Sequence, residues 1–231
     1  MHIAASDKTI VLVIKFRIRR SLRFLSHAEM LKVFQRACIR AGLRIQHSQG
    51  FNPRPKLSLP LPRSVGIETD DDLLCLRVHC DEGLVAHDPN GPRAADCAPR
   101  IKASLSEQLP GGCVLISVSL ATPDRSFQPR LATYILPLQQ KYLNDTLTAR
   151  IERLLASDSL FVNRDTRHRV KNIDVRPFLE SVELDDKGIV VECVISSAGS
   201  IRVDEILNLL ELDAEKLAGP VRRTNIKWKN N

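Results

Sequence analysis

The chain has 231 residues, 43% of them hydrophobic and 26% charged, with a formal net charge of +7. That length buries a substantial core in one or two domains, and the composition is that of an ordinary globular protein rather than a disordered or fibrous one. No apolar run approaches the roughly 20 residues that span a bilayer, and the start, MHIAASDKTIVLVIKFRI, lacks the basic segment and cleavage site of a secretory signal, so the expectation is a cytoplasmic protein with no membrane partner.

The charge is uneven. Residues 1–66 hold 13 Lys/Arg against 2 Asp/Glu, a net of +11, whereas the remainder holds 21 against 25, a net of −4. A polyanion-facing first part, nucleic acid above all, is the expectation; a solvated face kept positive for solubility is the alternative. Ile10 to Arg19 reads as a strand, with Ile10, Leu12, Ile14, Phe16 and Ile18 on one face and Val11, Val13, Lys15, Arg17 and Arg19 on the other. An antiparallel sheet covered by helices on one side would leave Lys15, Arg17 and Arg19 in a row on its open face.

SHAE before an apolar run is a capping box: Ser26 accepts from the Glu29 N–H while Glu29 reaches back to Ser26. The helix it starts buries Met30, Leu31, Phe34, Ala37 or Cys38, and Ala41, and Gly42 stops it with Leu43 beyond. Lys32, Arg36 and Arg40 recur every fourth residue and form a basic stripe about 12 Å long at ~1.5 Å rise per residue. His47-Ser48-Gln49-Gly50-Phe51-Asn52-Pro53-Arg54-Pro55-Lys56 then reads as a fixed, extended loop. Gly50 admits close backbone approach, Ser48, Gln49 and Asn52 offer hydrogen bonds, and Arg54 and Lys56 supply charge. Phe51 either stacks on a base or plugs the core under the loop. His27, at the first helical position, and His47 are the two candidates for acid–base work, and a structural role is commoner for a lone histidine.

The segment RFLSHAEMLKVFQRACIRAGLRIQHSQGFNPRPKLSLPLPRSVGIE closely resembles the opening of the radical SAM-linked protein family, through an RFLSH helix start, an HSQGFNPRPKLS loop and a PLPRSVGIE strand end. KNIDVRPFLESVEL and VRRTNIKW are similar to weaker downstream words of that family. The resemblance implies a domain of unknown function that works with a cobalamin-type radical SAM enzyme, here a separately encoded partner. The chain itself lacks the CxxxCxxC that holds the cluster in such enzymes.

Further along, Leu57, Leu59 and Leu61 alternate with Ser58 and Pro60 as an edge strand; Asp70-Asp71-Asp72 reads as a turn, and Leu74, Leu76 and Val78 begin another strand. A loop over Asp81 to Pro92, a helix from about Arg93 to Leu109 burying Ala94, Cys97, Ile101 and Leu105, and a strand from Cys113 to Leu120 complete β-α-β-β-α-β. Ala121 to Pro129 is the expected boundary. Beyond it, a strand at Leu131 to Leu136, a helix burying Leu143, Leu147, Ile151 and Leu154, strands between Leu160 and Leu184, a hairpin turn at Asp185 to Gly188, a strand over Ile189 to Ile195, a helix burying Val203, Ile206, Leu207 and Leu210, and a strand at Asn225 to Trp228 approximate the same order. The expected fold class is α+β: two ferredoxin-like units with antiparallel sheets, a basic one over 1–121 and a second over 130–231.

Cys38, Cys75, Cys80, Cys97, Cys113 and Cys193 form no CxxC pair, so most are read as small buried hydrophobes, and neither a metal nor a cofactor is expected. A second basic cluster, Arg164, Arg167, His168, Arg169 and Lys171 with Asp174 and Arg176 behind it, and Arg222 with Arg223, is either a contact surface or a solvated turn. The functional expectation is a non-catalytic accessory protein of a radical SAM enzyme that binds or presents a tRNA- or rRNA-like substrate through Lys15, Arg17, Arg19, Lys32, Arg36, Arg40, Arg54 and Lys56. One alternative is a metal-independent RNA-processing endonuclease of the paired ferredoxin-like type, whose C-terminal glycine-rich loop is reduced here to one glycine in ELDAEKLAGPVRRTN. The other is a pure protein-assembly domain.

Overall fold

Alternation of apolar residues makes strand β1 (Thr9–Ile18), in which Leu12, Ile14, Phe16 and Ile18 are fully buried. In chain order it is followed by α1 (His27–Arg40), β2 (Leu57–Ser58), β3 (Glu68–His79), α2 (Ala94–Glu107), β4 (Cys113–Ala121), β5 (Pro129–Pro137), α3 (Asp145–Ala156), β6 (Phe161–Thr166), β7 (Arg169–Asp174), β8 (Leu179–Asp185), β9 (Gly188–Val194), α4 (Val203–Leu209) and β10 (Arg222–Trp228). The computed structural model describes residues 9–79, 94–166 and 169–229. Helices and mostly antiparallel strands are mixed, so the protein is α+β. It divides into two compact units, Met1–Val65 with Asp71–Phe127 and Gly66–Asp70 with Gln128–Asn230.

In the first unit the strand order is β4-β1-β3, with β2 on β3. Ser26 caps α1 as its sequence requires: Oγ accepts from the Glu29 N–H at 3.3 Å, and Glu29 accepts from the Ser26 N–H at 2.8 Å. At the other end Gly42 has φ 75° and its N–H donates to Ile39 O, while the Leu43 N–H donates to Cys38 O at 2.9 Å, which closes the helix in a Schellman turn. Between these ends Met30, Phe34, Ala37 and Cys38 are buried against Phe16, Leu74, Leu76 and the α2 residues Cys97, Ile101 and Leu105. The Phe16 and Phe34 rings meet edge to face at 4.7 Å, a geometry that suits the aromatic quadrupoles.

Three expectations for this unit change. Asp70, Asp71 and Asp72 are not a turn but lie within β3. Aspartate disfavours strands, and remote cations compensate: Asp70 meets Arg222 at 3.5 Å and Asp71 meets Lys15 at 3.0 Å. The second face of β1 is not open either, since Val11 and Val13 are buried and Val11 lines a cleft walled in part by residues 123–127. The expected strand at Leu57–Leu61 shrinks to Leu57–Ser58, because Pro60 has no N–H to extend a ladder. The 81–92 loop, Cys80 and Ala94's side chain lie outside the described residues.

In the second unit the order is β10-β5-β9-β8, with Arg222 and Arg223 pairing in parallel with Glu68 and Thr69. Asn144 caps α3 by accepting from the Leu147 N–H at 3.1 Å, so the helix begins after Leu143 and buries Leu147, Ile151 and Leu154. Between α3 and β8 the chain inserts a separate hairpin, β6–β7, with Val162 opposite Ile173 and both packed on the core.

Candidate nucleic-acid interface

Residues 44–58, the HSQGFNPRPK stretch with its flanks, fold as a hairpin at the edge of β3. Ile45 bridges Val78, the Gln46 N–H donates to Arg77 O at 2.8 Å, the Arg77 N–H to Lys56 O at 2.9 Å, and the Lys56 N–H to Gln46 O at 2.7 Å. One residue pair further out, the Ser48 N–H donates to Arg54 O at 2.8 Å and the Arg54 N–H donates to Ser48 Oγ at 2.9 Å. These bonds close a short tip, Gln49 to Pro53. Gly50 stands there at φ 124°, a conformation that strains any side chain even though a Cβ would meet nothing within 4 Å.

Phe51 at this tip is fully exposed, at 106% of its reference area. The core-plug role is therefore excluded. A large aromatic held in water on a hydrogen-bonded tip buries nothing in the free protein, and it is the kind of surface feature that marks a contact. Gln49, Asn52 and Arg54 are exposed around it.

The return arm of the hairpin, Pro55 to Ser58, forms one wall of a cleft of about 650 Å³. Cys75 and Arg77 of β3 and the connecting residues Pro123 to Phe127 complete it. Among the described residues, Lys56, Arg77 and Arg125 bring three cations into the cleft against one carboxylate, Asp124. A hydrogen bond from Thr122 holds that carboxyl below its usual range. The Arg77 guanidinium donates to Pro123 O at 2.8 Å and ties the connecting segment to the sheet, and the Arg125 guanidinium lies 5.1 Å from the Phe127 ring centroid. Arg77 follows the period-2 alternation of β3, which assigns it to the face opposite Leu76 and Val78. Arg125 sits in a stretch that reads only as a boundary, and no local pattern marks it.

The other expected cations divide. Lys32 and Arg36 are exposed on α1. Arg40 is exposed too, but its guanidinium donates to Gln108 O at 2.7 Å and to Gln108 Oε1 at 3.2 Å, so it caps the end of α2 instead of continuing the stripe. Lys15 pairs with Asp71, and Arg19 donates to Ile18 O at 3.0 Å; Arg17 is exposed. His47 Nδ1 lies 3.0 Å from Ile45 O, which makes that nitrogen the donor. His27 Nδ1 is buried without a hydrogen-bond partner. Among the described residues neither histidine meets a carboxylate, and no group of His, Cys, Asp and Glu could hold a metal ion.

The second basic cluster is largely structural. Arg164, half-buried, pairs with the buried Glu205, Nε to Oε1 at 2.6 Å and Nη2 to Oε2 at 2.8 Å, and Nη2 also donates to Ser200 O. Arg176 donates to Leu155 O and Ser157 O, which satisfies carbonyls at the end of α3, and to Leu179 O at the start of β8. Arg223 is buried and Arg222 faces Asp70. Arg169 and Lys171 remain exposed, while Arg167 and His168 lie outside the described residues. Burial pushes the Cys38, Cys113 and Cys193 thiols up to about 12 and Cys75 to about 11, so all four stay protonated.

A family model for uncharacterised proteins conserved in bacteria, DUF2344, matches residues 12–205. The chain belongs to this family. The DUF2344 match takes in the hairpin, the cleft except Val11, and the Arg164–Glu205 pair, and it ends before β10. No curated protein matches the chain.

Proposed function

We propose that this protein is a non-catalytic accessory factor that binds RNA through its first unit and presents it to a separately encoded radical SAM enzyme. The observation that carries the RNA reading is Phe51, an aromatic ring fully exposed on a closed hairpin tip next to Arg54 and followed by the cationic cleft. RNA-binding modules read unpaired bases by stacking them on exposed aromatic side chains while cations hold the backbone. Lys32 and Arg36 add positive charge on α1. The enzyme partner is supported by the RFLSH, HSQGFNPRPKLS and PLPRSVGIE words. Strand orders β4-β1-β3-β2 and β10-β5-β9-β8, each built from a β-α-β-β-α-β run, support reading the units as ferredoxin-like, the second with β6–β7 inserted.

Fluorescence anisotropy with a labelled tRNA-sized transcript tests the RNA part. Wild type binds with a salt-dependent affinity, and Phe51→Ala weakens it; equal binding by both proteins would remove the main support. Tagged protein drawn from its own cells should bring down a radical SAM enzyme, and repeated recovery of none would count against that partner. Cleavage of structured RNA in the absence of metal would instead favour the endonuclease alternative.

A further inference from the structure

We infer that the cleft beside the hairpin holds one nucleotide of an unpaired RNA strand, with its phosphate between Lys56 and Arg125, while Phe51 stacks on a base of the same strand. The inference rests on the RNA reading above and adds the form of RNA and the residues that hold it.

Three features of the cleft select this ligand. Among the described residues its charge is cationic by two, Lys56, Arg77 and Arg125 against Asp124, which favours an anion. Its walls carry Leu57, Pro60, Pro123 and Phe127, which suit the flat, weakly polar face of a sugar and base. Its volume of about 650 Å³ lies within the range of single small-molecule sites and is too small for a duplex. Arg125, with its guanidinium 5.1 Å from the Phe127 ring centroid, and Phe127 itself offer a guanidinium plane and an aromatic ring, the two surfaces on which unstacked RNA bases rest. Ser58 lines the same wall with a hydroxyl group able to meet a ribose 2′-OH.

The hairpin links the cleft to the tip. Lys56 follows Phe51 by five residues, a reach of at most about 17 Å along an extended chain. One short strand can therefore touch both. A paired A-form helix cannot enter, because its bases are stacked inside and its deep groove excludes side chains. Arg77 acts as a positioning residue, since its guanidinium holds Pro123 and with it the wall that carries Arg125.

The test uses the full chain with a single-stranded oligouridine carrying one 2-aminopurine, the same strand annealed to its complement, and uridine monophosphate as competitor. The single strand should bind at least tenfold tighter than the duplex. The double variant Lys56→Gln/Arg125→Gln should bind about tenfold more weakly and flatten the log–log salt slope by about 0.7, the value for the one phosphate no longer neutralised. Asp124→Asn should bind more tightly, because it removes a carboxylate from the cleft wall. At saturation the 2-aminopurine quench should survive in the double variant and disappear in Phe51→Ala. Thermal unfolding of each variant reports that it is folded. A double variant with wild-type affinity and slope, alongside a Phe51→Ala variant that binds about tenfold more weakly, overturns the cleft assignment and leaves the RNA reading standing. Weaker binding by Asp124→Asn overturns it as well, and so does uridine monophosphate that displaces the strand with equal affinity, which would make the cleft a free-nucleotide site. No binding of either RNA by wild type overturns both proposals.

Discussion

The guanidinium of Arg63 donates to the main-chain oxygen of Arg23 at 2.7 Å. It also reaches Leu22 O at 3.3 Å and Leu25 O at 3.4 Å, and so gathers the carbonyls around the short 3-10 turn Arg20–Phe24 that leads into α1. The RFLSH and PLPRSVGIE words thus meet in space: one supplies the carbonyls, the other the planar donor fork that satisfies them. Arg63→Ala should destabilise the protein by about 2–3 kcal/mol, the range for a charged hydrogen-bonding group removed from a partly buried site. Arg63→Lys should not restore it, since an ammonium cannot span three carbonyls. Thermal unfolding midpoints check both, and an unchanged midpoint in Arg63→Ala would contradict the role.

The Arg164–Glu205 pair predicts a pH dependence. Burial pushes the Glu205 carboxyl up, but hydrogen bonds from Arg164 and from the Arg202 N–H, with the nearby positive charge, outweigh it and hold the carboxyl below its usual range. A carboxyl lowered on folding adds stability above its unfolded pKa of about 4.3, and that stability is lost as pH falls through the folded value. Glu205→Gln should therefore cost about 3 kcal/mol at neutral pH, typical of breaking a buried pair, with the difference from wild type shrinking as pH falls through the folded value. Urea midpoints of the two proteins measured from about pH 7 to pH 3 give the curve. A difference that stays constant across that range would refute the pairing.

On α1, Lys32 and Arg36 should behave unlike Arg40. Lys32→Gln/Arg36→Gln should leave the unfolding midpoint within a small margin, as exchanges on a solvated helix face do, and should flatten the RNA salt slope by one to two phosphates' worth, about 0.7 each. Arg40→Gln should lower the midpoint, because it removes the donor to Gln108 O. An unchanged slope in the double variant would show that the helix face meets only solvent.

Gly50 tests the shape of the tip. Its φ of 124° is a region that only glycine enters freely, and Gly50→Ala should cost about 1–3 kcal/mol locally. Because a Cβ there meets nothing within 4 Å, the strain should relax by re-forming the tip rather than by unfolding the unit. RNA affinity should fall while the unfolding midpoint stays close to wild type. A variant with full affinity would show that the tip conformation is irrelevant to binding.

What the sequence makes legible follows range of interaction. The capping box at Ser26 and Glu29, the stop at Gly42 and the Asp185–Gly188 hairpin are local, so the residues alone specify them. Asp70 to Asp72 misleads because its partners Arg222 and Lys15 are remote in the chain. Arg164 misleads likewise: it reads as part of a basic patch, and its buried partner Glu205 is 41 residues away. The stripe of Lys32, Arg36 and Arg40 loses its last member to the carbonyl of Gln108, just past the end of α2. Phe51 is ambiguous in sequence because its exposure depends on whether Ser48 and Arg54 close the tip, a fact of folded geometry. The cleft joins Lys56, Arg77 and Arg125 from three separate segments, and no spacing announces it.

The central claim turns on Phe51, and the RNA affinity of Phe51→Ala across a salt series tests it most directly. The ring is fully exposed, so the variant should unfold at the wild-type midpoint. Its affinity should drop roughly tenfold, as expected when one base–aromatic stack is removed, with the log–log salt slope unchanged because the ring neutralises no phosphate. A Phe51→Ala protein that is folded and binds RNA as tightly as wild type, with the same slope, would contradict the claim.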